Sequence, residues 1–128
     1  MAGGYRISTE TELHEARDLV LEWLRGRRRS SGFLGGMNAA ALGAQHVDIA
    51  TTFLAALDGS GFVVEIVQLE KGPPPMFEGR WTHHGAAFIG FRQPPAAQNR
   101  EDATLLACAA LLRNDWCCSK LPTEEAEA

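Results

Sequence analysis

The chain has 128 residues, of which 45% are hydrophobic and 22% are charged, and its formal net charge is -4. This length suits one domain with a single hydrophobic core. Charged residues interrupt every long apolar run, and the amino-terminal sequence lacks an apolar signal core, so we expect a cytoplasmic protein with no membrane span. The acidic balance argues against a nucleic-acid partner, because such proteins usually carry a basic excess.

The first predicted element is a helix over residues 9–28. Thr9 is a suitable cap, and Glu12 follows three residues later in the capping-box position. Apolar residues then recur at three- and four-residue spacing, which is typical of one helix face. They are Leu13, Ala16, Val20, Trp23 and Leu24. A glycine- and serine-rich connection follows this helix.

The middle of the chain predicts a second helix over 47–58 and two strands over 62–69 and 81–92. The sequence Asp58-Gly-Ser-Gly61 stops the helix, and the β-branched run after it predicts a strand. Because both faces of this strand are largely apolar, we expect it to be central or covered on both sides. Three prolines, Pro73 to Pro75, end it and predict an antiparallel hairpin with a long loop.

A last helix is predicted over 101–114, with Asn99 as its cap. From Ala103 to Leu112 every residue except Thr104 is apolar, so more than one side of this helix must be covered. The sheet covers one side, and the first helix or a second subunit covers the rest. Since a two-stranded sheet also leaves open edges, these features favour a homodimer.

The fold class that these elements predict is α+β, with a small antiparallel sheet of two or three strands packed by about three helices in a sandwich-like arrangement. We expect residues 1–120 to form this single domain. Residues 121–128 are rich in glutamate and predict a disordered acidic tail.

Two pairs of adjacent residues resemble parts of a metal or redox site, His83-His84 and Cys117-Cys118. Adjacent residues on a strand point to opposite faces, and zinc ligands are normally separated by about two to four residues. The sequence therefore predicts no metal and no cofactor. A nucleophilic Cys–His pair would need a lowered thiol pKa and an orienting third group, and neither is visible. No catalytic residue is predicted.

The most concentrated charge in the sequence is an arginine cluster, which consists of Arg25, Arg27, Arg28 and Arg29. One interpretation is that these cations only solvate a helix end and complement the helix dipole. The other is a partner-binding site, because arginine is enriched at binding hot spots.

The order of features from Asp48-Ile-Ala50 to the final helix resembles the phage ABA-sandwich domain family. Gly61-Phe62 begins a valine-rich strand, a proline-rich hairpin and Trp81 follow, and an alanine-leucine helix ends the pattern, over about residues 47–113. Phe53 stands where that family would have tryptophan, and the glycine-rich 30–45 segment is unusually long. The resemblance implies an origin in a phage or prophage, and it transfers no catalytic residue.

The function that follows as an expectation is a small non-enzymatic binding protein that inhibits or modulates a host protein or protein complex. A counter-defence inhibitor of the anti-CRISPR kind is its specific form. The alternative is a small-ligand or nucleotide-binding module with a pocket between subunits. The first of these rests on association with small acidic phage proteins rather than on a recognised site.

Overall fold

The computed structural model describes residues 5–31, 46–87 and 93–121, and the side chains of residues 27–31 and Val47 lie outside that description. The described part is an α+β fold, as the sequence predicts. Its helices are α1 (Glu10–Ser31), α2 (His46–Ala56), α3 (Arg100–Arg113) and α4 (Asp115–Cys118). Its strands are β1 (Phe62–Glu70), β2 (Met76–His83) and β3 (Ala86–Ala87), in one antiparallel sheet.

Helix α1 begins with the capping box that the sequence predicts. The Thr9 hydroxyl accepts a hydrogen bond from the Glu12 backbone N–H at 3.1 Å, and the Glu12 carboxylate accepts one from the Thr9 N–H at 2.9 Å. Each side chain thereby satisfies a backbone donor that the helix leaves without a partner. The predicted apolar face is confirmed, because Ala16, Val20 and Leu24 are fully buried.

The predicted antiparallel hairpin is confirmed, but two expectations about its strands are wrong. Strand β2 begins at Met76, directly after the prolines, rather than at residue 81. Among the described residues, strand β1 lies at the edge of the sheet, since β2 is the middle strand and pairs with both neighbours. Val63 is 60% exposed, so the face of β1 that carries it is not covered at this position. The part of the second predicted strand over 88–92 lies outside the described residues.

Gly79 explains why the sequence pattern does not predict the first residues of β2. Glycine normally weakens a strand, and here polar residues stand on both sides of it. A Cβ atom at Gly79 would lie only 2.5 Å from the Cβ of Ala107 in α3. The glycine therefore marks the place where helix α3 crosses the sheet closely, and not a break in the strand.

Helix α3 is the centre of the fold. Seven of its residues are buried: Ala103, Leu105, Leu106, Ala107, Cys108, Ala109 and Leu111. Helices α1 and α2 and the strand β2 pack around it. The prediction that α3 is covered on more than one side is confirmed, and the covering elements belong to the same chain. The apolar helix consequently no longer supports a homodimer, which stays a prediction based on the exposed edge of β1.

The carboxyl-terminal segment continues the core further than predicted. Leu121, which the sequence assigns to the acidic tail, is 6% exposed and packs with the core residues. The rest of the predicted tail, residues 122–128, lies outside the described residues. Within the described part of the chain, no helix is long and apolar enough to cross a membrane.

Candidate functional site

A tight turn between β2 and β3 places a histidine in an unusual backbone conformation. His83 pairs with Ala86, so His84 and Gly85 form a two-residue connection, and their φ angles are 52° and 84°. Two positive φ angles define a type I′ turn, in which asparagine and glycine are the usual residues. A left-handed conformation costs a residue other than glycine about 1–3 kcal/mol. Histidine is one of the few residue types other than glycine that are enriched in this conformation, so the turn accepts His84 without requiring it.

The His84 side chain joins a group of four aromatic rings, which we call the ring cluster: Phe62, His83, His84 and Trp116. The His83 ring stacks on Phe62, with centroids 4.2 Å apart and an angle of 28° between the planes. Trp116 meets His83 nearly edge-on at 5.4 Å, and His84 lies against His83 at 4.3 Å. His83 is thus the centre of the cluster and contacts each of the other rings.

Hydrogen bonds hold the two histidines to the connection between α2 and β1. The Nε2 atom of His83 lies 3.2 Å from the Ser60 carbonyl oxygen, which can only accept, so Nε2 is the donor in this hydrogen bond. The His84 backbone N–H donates to the Gly61 carbonyl at 2.8 Å. The His84 ring covers Gly61, where a Cβ atom would collide with it. The hairpin turn and the α2–β1 connection therefore support each other.

The ring cluster has a buried base and an exposed top. Phe62 is 7% exposed at the base, whereas Trp116 is 49% exposed and His84 also faces solvent. Lys120 places its ammonium nitrogen 5.8 Å from the centre of the Trp116 ring, within the range of a cation–π contact. An exposed tryptophan held by aromatic neighbours and flanked by a cation is typical of a binding surface.

The two histidines are closer than the sequence predicts, but they do not form a metal site with the cysteines. The expectation that their side chains point to opposite faces is wrong, because β2 ends at His83 and the turn redirects His84. The Cys118 thiol donates instead to the Leu112 carbonyl at 2.6 Å, and Cys117 is buried. Among residues 5–31, 46–87 and 93–121, no three His, Cys, Asp or Glu side chains are grouped to hold a metal ion.

The three thiols are free and their environments keep them protonated. Burial raises the pKa of Cys108 far above its usual range, and it raises the pKa of Cys117 to about 11. Burial and then the nearby Asp115 carboxylate raise the pKa of Cys118. A nucleophilic cysteine needs the opposite shift, because the thiolate is the reactive form.

The predicted arginine site falls largely outside the described side chains. Arg25 is exposed near the end of α1. The side chains of Arg27, Arg28 and Arg29 lie outside the described residues, so the partner-binding role of this cluster stays a prediction.

A groove with charged side chains lies apart from the ring cluster. It is formed by the amino-terminal segment, α1 and the end of α3. Its volume is about 510 Å³. Arg6, Glu12, Glu15 and Arg113 line it, and we call it the charged groove. Sequence reasoning did not single out this groove, since its charges come from elements about 100 residues apart in the chain.

In comparisons with known proteins, no protein-family model, no curated protein and no solved structure matches this chain. The resemblance to the phage family therefore stays a prediction.

Proposed function

We propose that this chain is a non-enzymatic binding protein and that the top of the ring cluster is its contact surface for another protein. The observation that supports this proposal best is Trp116, which is 49% exposed although the rings of Phe62 and His83 pack against it. Tryptophan is the residue type most enriched at binding hot spots, because it supplies a large rigid contact area.

The choice of histidine at position 84 supports the same proposal. His84 has a φ angle of 52°, a left-handed conformation that asparagine and glycine adopt more readily, and it adds an exposed ring at this turn. Left-handed residues other than glycine concentrate at functional sites. An exposed ring beside Trp116 extends the surface that a partner would contact.

A protein partner fits this surface better than a nucleic acid does. Lys120 places a positive charge near Trp116, while Asp115 is exposed in the same short helix as Trp116. The net charge of the chain is -4, which opposes the approach of a phosphate backbone. The surface instead combines an aromatic centre with a polar rim, as protein interfaces do.

The specific form of the proposal is inhibition or modulation of a host protein or protein complex in the cytoplasm. A counter-defence inhibitor encoded by a phage or prophage, of the anti-CRISPR kind, is the version that we expect. The family resemblance over residues 47–113 supports this version, and the ring cluster supports only the binding role.

An affinity purification from host lysate, followed by mass spectrometry, tests the contact surface. We expect Trp116→Ala to lose the partner that the unmodified protein retains in stoichiometric amount. Ile7→Ala is the matched control, because Ile7 is 57% exposed and lies outside the ring cluster. Retention of the partner by the Trp116→Ala protein would show that the contact surface is elsewhere.

His84→Asn separates binding from folding more sharply than an alanine substitution does. Asparagine tolerates the left-handed backbone, so we expect an equal or higher melting temperature together with weaker partner binding.

A variant in which Arg25, Arg27, Arg28 and Arg29 are all alanine tests the other predicted anchor in the same experiment. Loss of binding in that variant alone would assign the contact to the arginine cluster.

A further inference from the structure

The charged groove has walls that the backbone holds in place. The Ala96 N–H donates to the Arg6 carbonyl at 2.6 Å, and the Ser8 N–H donates to the Ala96 carbonyl at 2.8 Å. These bonds fix the segment that contains Pro94 and Pro95 beside the amino-terminal segment. The groove is therefore formed before any ligand arrives, which lowers the entropic cost of binding.

Two of the four charges in the groove already have partners. The Arg6 guanidinium lies 2.7 Å from the Glu12 carboxylate, and this carboxylate also caps α1. Glu12 and Arg6 consequently act as a structural pair. The same bonds keep the pKa of Glu12 below its usual value, first through the Thr9 backbone and then through Arg6.

The other two charges, Glu15 and Arg113, line the same groove without forming an ion pair among the described residues. Both side chains are exposed, and both also line a neighbouring surface depression on α1, where Asp18 and Glu22 lie with them. Arg113 ends α3, where a cation complements the helix dipole, but its five donors remain available to a ligand. One carboxylate and one guanidinium thus face a shared space.

The balance of charge selects the class of ligand. An isolated anion would approach Arg113 and Arg6 but also two carboxylates, and an isolated cation would meet two guanidinium groups. A ligand that carries one positive and one negative charge finds a group of opposite charge for each of them. Leu106, Ala110 and Pro94 provide an apolar floor between the charged walls. The volume of about 510 Å³ lies within the roughly 300–1,000 Å³ of small-molecule sites.

We propose that the charged groove binds a small zwitterionic ligand of the short-peptide class with free termini. The ligand carboxylate accepts two hydrogen bonds from the Arg113 guanidinium, its ammonium donates to the Glu15 carboxylate, and its aliphatic side chains lie on Leu106 and Ala110. This site is separate from the ring cluster and lies within one chain, so the proposal does not depend on the protein-binding role.

A titration of ¹⁵N-labelled protein with the dipeptide leucyl-leucine, followed by NMR, tests the proposal. We expect saturable shifts at the backbone amides of Gln93, Ala110 and Asn114, which surround the groove. The N-acetylated dipeptide and the dipeptide amide each lack one charge and should bind about tenfold more weakly. The absence of saturable shifts in the folded protein, or equal binding of all three probes, would overturn the proposal.

Two substitutions assign the charges. Glu15→Gln should weaken the binding of leucyl-leucine about tenfold and leave the affinity of the N-acetylated dipeptide unchanged. Arg113→Gln should also weaken the binding of leucyl-leucine about tenfold, but it should leave the affinity of the dipeptide amide unchanged. Glu10→Gln is the matched control, because Glu10 is exposed on the same helix and does not line the groove. An equal loss for every probe in both variants would overturn the assignment of the two charges, since a merely structural role predicts that pattern.

Discussion

Two tryptophans lie on opposite sides of the boundary between the core and the surface. Trp81, in the middle of β2, is 4% exposed, and its indole N–H donates to the Ala107 carbonyl of α3 at 2.8 Å. Trp116, in α4, packs on His83 and has half of its surface exposed to solvent. The comparison shows that the same residue type is buried in the core in one region and stays half exposed in the other.

The largest effect is expected from removing the buried ring. Trp81→Ala should lower the free energy of unfolding by about 3–5 kcal/mol, because it leaves a cavity under α3. Trp116→Ala should lower it by less than about 1 kcal/mol, since the exposed half of the ring contributes little. Urea denaturation followed by circular dichroism measures both values. Equal losses would show that the ring cluster is a second part of the core and would contradict the comparison.

The second-largest loss of stability is expected at two glycines, Gly79 in β2 and Gly61 next to the ring cluster. Gly79→Ala should cost about 1–3 kcal/mol, because the new methyl group meets Ala107 of α3 and the helix must move. Thermal unfolding of this variant gives the value. An unchanged melting temperature would mean that α3 does not cross β2 as closely as the structure shows.

Gly61→Ala should cost about 1–3 kcal/mol for a different reason. Its φ angle is +88°, and the His84 ring covers the space that a Cβ atom would occupy. The double variant Gly61→Ala with His84→Asn removes the collision but keeps the backbone strain, so part of the loss should be recovered. The double-mutant cycle measures that part, and strict additivity would show that the ring does not rest on Gly61.

The smallest effect is expected at Glu12, outside the two tryptophan regions, and it depends on pH. The pKa of Glu12 is lowered in the fold, so the folded state holds this proton less tightly than the unfolded chain does. Its contribution is complete above the unfolded pKa of about 4.3 and disappears as the pH falls through the lower folded value. Glu12→Gln should therefore destabilise at neutral pH and approach the unmodified protein in acid. A difference that is constant with pH would contradict this assignment.

The elements with strong local signals could be predicted from the sequence. Thr9 and Glu12 identify the start of α1, and Asn99, whose side chain accepts from the Asp102 N–H at 2.7 Å, identifies the start of α3. The apolar run of α3 also required cover on several sides. These signals lie within a few residues of the feature that they determine, so the sequence alone reveals them.

The features that tertiary structure decided depend on contacts between distant residues. Gly79 belongs to a strand only because Ala107 packs against it, and β1 lies at the edge because β2 pairs with both neighbours. The ring cluster requires Trp116 to fold back on His83, which stands more than 30 residues earlier. The turn at His84 and Gly85 was also missed, because the strand predicted over 81–92 runs through both residues. Neither the turn nor the strand indicates which ring will pack on another. Local propensity determined the helices, whereas the sites formed where the packing of α3 and α4 brought separate segments together.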